Sequence, residues 1–164
     1  MLQMVDEKGL PAGVITEEPR FAYRGFMMDV SRHFFVKAFI KKQMDALAYY
    51  KLNRLHLHLT DAAGWRLEIK KYPRLTEFAA WREFPTWKEW WNNGRRYEEE
   101  GSKDAHGGYY TQDDIRELVA YAQERFITVI PEIEMPAHSE EVLTAYPELS
   151  CTHEPYKQAD FCVG

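Results

Sequence analysis

Residues 52–60, LNRLHLHLT, alternate apolar and polar side chains, with Leu55, Leu57 and Leu59 on one face and His56, His58 and Thr60 on the other. A period of two is the signature of a strand lying between two different environments. The flanking segments narrow its setting. Upstream, residues 23–30 (YRGFMMDV) read as a strand, and residues 35–50 place Val36, Phe39, Ile40, Leu47 and Tyr50 at helical spacing. Downstream, Thr111 is positioned to cap a helix with Asp114 three residues on. Ile115, Leu118, Val119 and Ala122 form the stripe of that helix, and residues 127–132 (ITVIPE) follow as a third strand. Strand, helix, strand, helix, strand in this order predicts parallel pairing through right-handed crossovers, hence an α/β protein. In a closed barrel of that kind the leucines lie under the helices, and His56, His58 and Thr60 point inward.

A complete (β/α)8 TIM barrel takes about 250 residues, whereas this chain has 164 and about three such units. The expected fold is therefore part of a barrel with a long aromatic-rich insertion. That insertion, residues 72–110, carries Trp81, Trp87, Trp90, Trp91 and Tyr97. Aromatic rings can stack on sugars, but clustered tryptophans more often anchor a long loop onto its own domain, and anchoring is the preferred reading.

Composition excludes several classes. With 45% hydrophobic residues the chain can build a core, and its net charge of −5, with both signs interspersed, argues against a nucleic-acid partner. No window approaches the roughly 18 unbroken apolar residues of a membrane span. The opening MLQMVDEKGLPAG lacks the basic flank and apolar run of an export signal, which leaves the compartment open. Cys151 and Cys162 bracket a polar, turn-rich segment; a disulfide and two free thiols are both compatible with it.

In parallel barrels the working groups sit at the C-terminal ends of strands. Three places stand out: Arg24, Asp29, Arg32 and His33 around the first strand, Asp61, Trp65 and Arg66 past the second, and Glu132, Glu134 and His138 past the third. His56 and His58 at i and i+2 also suit the metal site of a metal-dependent amidohydrolase. The further ligands such a site needs at later strand ends are not visible, so the pair reads as polar filling near a pocket floor, with no metal expected.

The segments RGFMMDVSRHF, KLNRLHLHLTDAAGWR, GGYYTQDDIRELVAYA and VIPEIEMPAHS together resemble the family-20 glycoside hydrolases, the β-N-acetylhexosaminidases, over residues 19–138. The tract WRLEIKKYPRLTE is similar to bacterial members in particular. The resemblance implies that residues 1–18 are a linker from a preceding domain and that residues 19–164 are the N-terminal part of the catalytic barrel, ending before its fourth strand. It implies Arg24 as the substrate-binding arginine and Asp61 and His138 as a relay to the catalytic acid. The catalytic Asp-Glu pair would then lie downstream of Gly164, since the single Asp-Glu step in this chain is Asp6 followed by Glu7.

The implied chemistry is substrate-assisted hydrolysis of terminal N-acetylhexosaminide glycans by the full-length protein, without a cofactor and in an extracytoplasmic compartment. The chain alone is expected to be inactive and, with an unpaired strand edge, prone to self-association. A non-catalytic carbohydrate-binding module that uses Trp90 or Trp91 is the alternative from another class. One departure from the family pattern is Ala137 in place of glycine, which predicts an altered turn before His138.

Overall fold

The computed structural model describes residues 5, 7–9 and 12–154. The alternating segment forms the middle of a parallel three-stranded sheet. Its strands are β1 (Gly25–Asp29), β2 (Arg54–His58) and, after four short strands, β7 (Thr128–Glu132), in the order β1-β2-β7. Helix α1 (Lys37–Tyr49) connects β1 to β2.

Between β2 and β7 lie the hairpin of β3 (Thr60–Asp61) and β4 (Gly64–Trp65), helix α2 (Arg74–Glu77), strand β5 (Trp81–Arg82), helix α3 (Trp87–Asn92), strand β6 (His106–Gly107) and helix α4 (Gln112–Gln123). Helix α5 (Glu140–Ala145) and a 3-10 turn (Pro147–Leu149) follow β7. None of the helices among the described residues is long and apolar enough to cross a membrane.

The register explains which face each strand residue takes. Phe26, Leu55 and Val129 form one cross-sheet row and Met28, Leu57 and Pro131 another on the helix side; Met27, His56 and Ile130, then Asp29, His58 and Glu132, form rows on the opposite side. Leu55, Leu57 and Leu59 are buried against Ile40, Met44 and Leu47 of α1 and Leu118 and Ala122 of α4, as the alternation predicts.

The expected stripe of α1 is corrected at its ends. Val36 caps the helix and Tyr50 lies just past it, both exposed, while Phe39 stacks on Phe35 at 4.8 Å at the edge of the core. The buried stripe is Ile40, Met44 and Leu47, the i, i+4, i+7 set that faces one direction. Helix α4 starts as the sequence predicts: Thr111 Oγ1 accepts from the Asp114 amide, and Asp114 Oδ2 accepts from the Thr111 amide, both at 3.0 Å.

The insertion is fastened to the barrel segment by Arg66, which is fully buried. Its guanidinium donates to the carbonyls of Val30 (3.1 Å), Ser31 (2.6 Å), Ala63 (3.4 Å), Ala80 (2.5 Å) and Gly108 (3.0 Å). One side chain thus joins the end of β1, the β3–β4 turn, the residue before β5 and the residue after β6. Burial pushes Arg66 down to about 9, which leaves it charged at neutral pH.

Two glycines make room around it. A Cβ on Gly64 would stand 2.4 Å from the guanidinium, and one on Gly107 would stand 2.0 Å from the Ala80 carbonyl oxygen, both at positive φ. Trp90 is buried beside Ala62 and Ala63, edge-on to Tyr97 at 5.6 Å, and its Nε1 donates to the Arg96 carbonyl at 3.0 Å. This tryptophan anchors the loop. Trp87 and Trp91 pair at 5.1 Å nearer the surface. Cys151 is exposed and makes no disulfide among the described residues; Cys162 lies outside them, and the expected choice between disulfide and thiols falls there too.

Candidate active site

The polar row Asp29, His58 and Glu132 closes the C-terminal end of the sheet, and the segments leaving β1, β2 and β7 add Arg32, Asp61, Glu134 and His138 to it. Asp61 is the hub. Its carboxylate is buried and accepts from the Ala62 amide at 2.7 Å; Arg32 Nη2 stands 2.5 Å away, His58 Nε2 3.0 Å and His138 Nδ1 3.4 Å. Burial alone would raise the pKa of Asp61, but the His58 hydrogen bond and the Arg32 and His138 charges outweigh it and hold the carboxyl below its ordinary value.

Arg32 is fixed from the other side by Asp29. Asp29 Oδ2 lies 2.7 Å from Arg32 Nη1, while its Oδ1 caps the turn by accepting from the amides of Ser31 (3.0 Å) and Arg32 (2.9 Å). His58 bridges Asp61 and Glu132, whose Oε2 lies 2.9 Å from Nδ1, and His56 Nε2 approaches the same oxygen at 2.7 Å. The hydrogen bond to Asp61, opposed by burial and reinforced by Glu132, pushes His58 up to about 9. Glu132 beside it and burial raise Glu134, while Glu134, His58 and His56 outweigh the opposing effect of burial and hold Glu132 below its ordinary value.

Two of the three residues expected to form the site come together, and one does not. Asp61 and His138 are neighbours at the mouth of the sheet. Arg24 precedes β1, at the opposite end of the strand: its Nε donates to the Lys51 carbonyl at 2.7 Å and its Nη1 to the Phe21 carbonyl at 2.5 Å. It closes the bottom of the β1–β2 unit, about five residues of strand from the polar cluster at roughly 3.3 Å each.

Arg32, one of the residues expected around the first strand, and His58, expected only as polar filling near a pocket floor, both contact Asp61. The register contains the signal for both: His58 belongs to the last inward row of β2, and Arg32 follows Asp29 by three residues, the reach of a turn. The expected effect of Ala137 is also corrected. Positive φ falls on His138 (φ +54), while Ala137 has an ordinary backbone, so glycine is not required there.

Paired carboxylates, a histidine bridge and a clamped arginine gather at the C-terminal ends of the parallel strands, the place where TIM-barrel-like α/β folds carry their working groups. The particular family follows from comparison with known proteins. The catalytic-domain model of glycosyl hydrolase family 20 matches residues 21–164, and the chain belongs to that family. It is 47% identical over 148 residues to the β-hexosaminidases of Porphyromonas gingivalis and Akkermansia muciniphila, with 90% of this chain and 17% and 27% of those proteins covered.

Among solved structures, a family-20 exo-β-N-acetylglucosaminidase from Vibrio harveyi in complex with N-acetylglucosamine aligns with a TM-score of 0.69 at 42% identity, over 81% of this chain and 20% of that one. A crystal structure of a β-N-acetylhexosaminidase aligns with a TM-score of 0.73 at 44% identity, over 96% of this chain and 30% of that one. The chain thus spans about a quarter or less of the length of the curated relatives named.

Proposed function

We propose that this chain supplies the first three β/α units of the eight-unit barrel of a β-N-acetylhexosaminidase, and with them one wall of the pocket for a terminal N-acetylhexosamine. The observation that carries this reading is the clamping of Asp61 by Arg32, His58 and His138 at the mouth of the parallel sheet. Asp61 and His138 serve as the relay that sets the protonation of a general acid, since an imidazole with a carboxylate on one nitrogen can pass the influence of that charge to a group on the other.

Arg32, rather than Arg24, holds the sugar hydroxyls. Its planar fork is pre-oriented by Asp29 and Asp61, and its side chain is still 38% exposed at the site. The acetamido group of the substrate acts as nucleophile, and an Asp-Glu pair on a further strand end orients it and protonates the leaving oxygen. Residues 139–164 contain no Asp-Glu step.

The test is made in a chain extended through the remaining barrel. Arg32→Gln lowers kcat/KM by at least about a hundredfold, the scale of a lost charge-assisted contact to substrate, whereas Arg24→Gln leaves it within a few-fold. Equal effects at the two positions would remove Arg32 from the pocket.

A further inference from the structure

The site also holds a donor set that could meet a single ion. His58, Glu132 and Glu134 place one ligand atom each within 4.8 Å of one another. His58 is the fixed member: its side chain is only 6% exposed, and its Nε2 is engaged by Asp61 at 3.0 Å. A carboxylate on one ring nitrogen orients the other, the arrangement that positions histidine ligands around zinc. The other nitrogen, Nδ1, and Oε2 of Glu132 are buried and make no hydrogen bond, yet they stand 2.9 Å apart as an ion pair, and His56 Nε2 faces the same oxygen at 2.7 Å.

The two atoms thus lie at ion-pair distance without a hydrogen bond, and a cation bound there takes the place of the ring proton. A cation on the lone-pair axis meets both atoms: with bonds of about 2.0–2.2 Å, a 2.9 Å separation corresponds to a nitrogen–metal–oxygen angle of roughly 90°.

We propose that His58 Nδ1, Glu132 and Glu134 form a binding site for a divalent transition cation of the zinc type, bridging β2 to β7. The nitrogen-plus-carboxylate donors favour such an ion over calcium, which prefers an all-oxygen shell. The site rests on the observed geometry alone and makes no claim on the reaction: the cation generates no nucleophile here. Where the chain forms part of an active hydrolase, occupancy would tie up the histidine that steadies Asp61.

The experiment titrates Zn2+ into the metal-free chain, with calorimetry and thermal unfolding as readouts, and repeats it with Co2+ to record the visible bands of nitrogen–oxygen coordination. The expected result is one strong site per chain. At a hundredfold excess over Kd the midpoint rises by about 5–10 °C.

Glu132→Gln and Glu134→Gln, each isosteric and checked for folding by circular dichroism, weaken binding at least tenfold. His153→Gln, which alters an exposed histidine, leaves it unchanged. Should binding be absent, or persist in both glutamine variants, or vanish in His153→Gln, the proposal is overturned. If neither glutamine variant folds, the decision passes to the Co2+ spectrum of the parent chain: bands of nitrogen–oxygen coordination at one equivalent support the site, and a spectrum of hexaaquo Co2+ or of thiolate ligation from Cys151 overturns it.

Discussion

Replacing Arg66 by lysine keeps a positive charge at the centre of the insertion while removing the shape that uses it. The arginine makes five hydrogen bonds to backbone carbonyls of four separated segments, at 2.5–3.4 Å. An ammonium has three donors radiating from a single point, so at least two of the five carbonyls lose their partner. Each buried acceptor left unsatisfied costs about 1–3 kcal/mol, which gives a loss of roughly 2–6 kcal/mol. That is a large share of the about 5–15 kcal/mol that holds a domain together.

In urea, with a slope of about 2 kcal/mol per molar, the midpoint should fall by roughly 1–3 M. Tryptophan fluorescence is the natural probe, because Trp90 is buried in the insertion that Arg66 secures. A lysine variant as stable as the parent would refute the idea that guanidinium geometry, rather than charge, fastens the insertion.

Glu141 is buried in the first turn of α5 with neither carboxyl oxygen hydrogen-bonded, and burial pushes it from an ordinary 4.5 up to about 8. Because the folded state holds this proton where the unfolded chain has released it, stability falls as pH rises from 4.5 to about 8, by up to about 1.4 kcal/mol per pH unit. Glu141→Gln should remove that slope, so its stability relative to the parent increases between pH 5 and pH 8; parallel pH profiles would contradict this. The chain should also self-associate, since β1 and β7 each have one unpaired edge among the described residues and Phe26 and Met27 are exposed beside the β1 edge. Light scattering that finds a monodisperse monomer at high concentration would count against it.

The parts of this fold that were legible in the sequence are those fixed by local periodicity. Leu55, Leu57 and Leu59 alternate because one face of β2 meets helices, and Thr111 with Asp114 marks a helix start because both groups satisfy amides within one turn. The positions of Asp61 and His138 just past strand ends follow from the same order of elements, and the structure brings the two within 3.4 Å.

Side-chain chemistry alone does not say which end of a strand Arg24 occupies; its three carbonyl contacts become visible only when the β1–β2 crossover is closed. The partnership of Arg32 with Asp61 joins residues 29 positions apart, and the shared approach of His56 and His58 to Glu132 depends on the register of β2 against β7. Arg66 escaped notice as an organiser for the same reason: its acceptors are backbone carbonyls, which carry no sequence signature.

The measurement that bears most directly on the central claim is release of p-nitrophenol from p-nitrophenyl N-acetyl-β-glucosaminide by this chain and by the same chain extended through the remaining barrel. Activity in the extended chain alone, abolished or strongly reduced by Asp61→Asn, is the predicted result. Hydrolysis by residues 1–164 alone, or an extended chain indifferent to Asp61→Asn, would contradict the assignment of this segment as one wall of a hexosaminidase pocket.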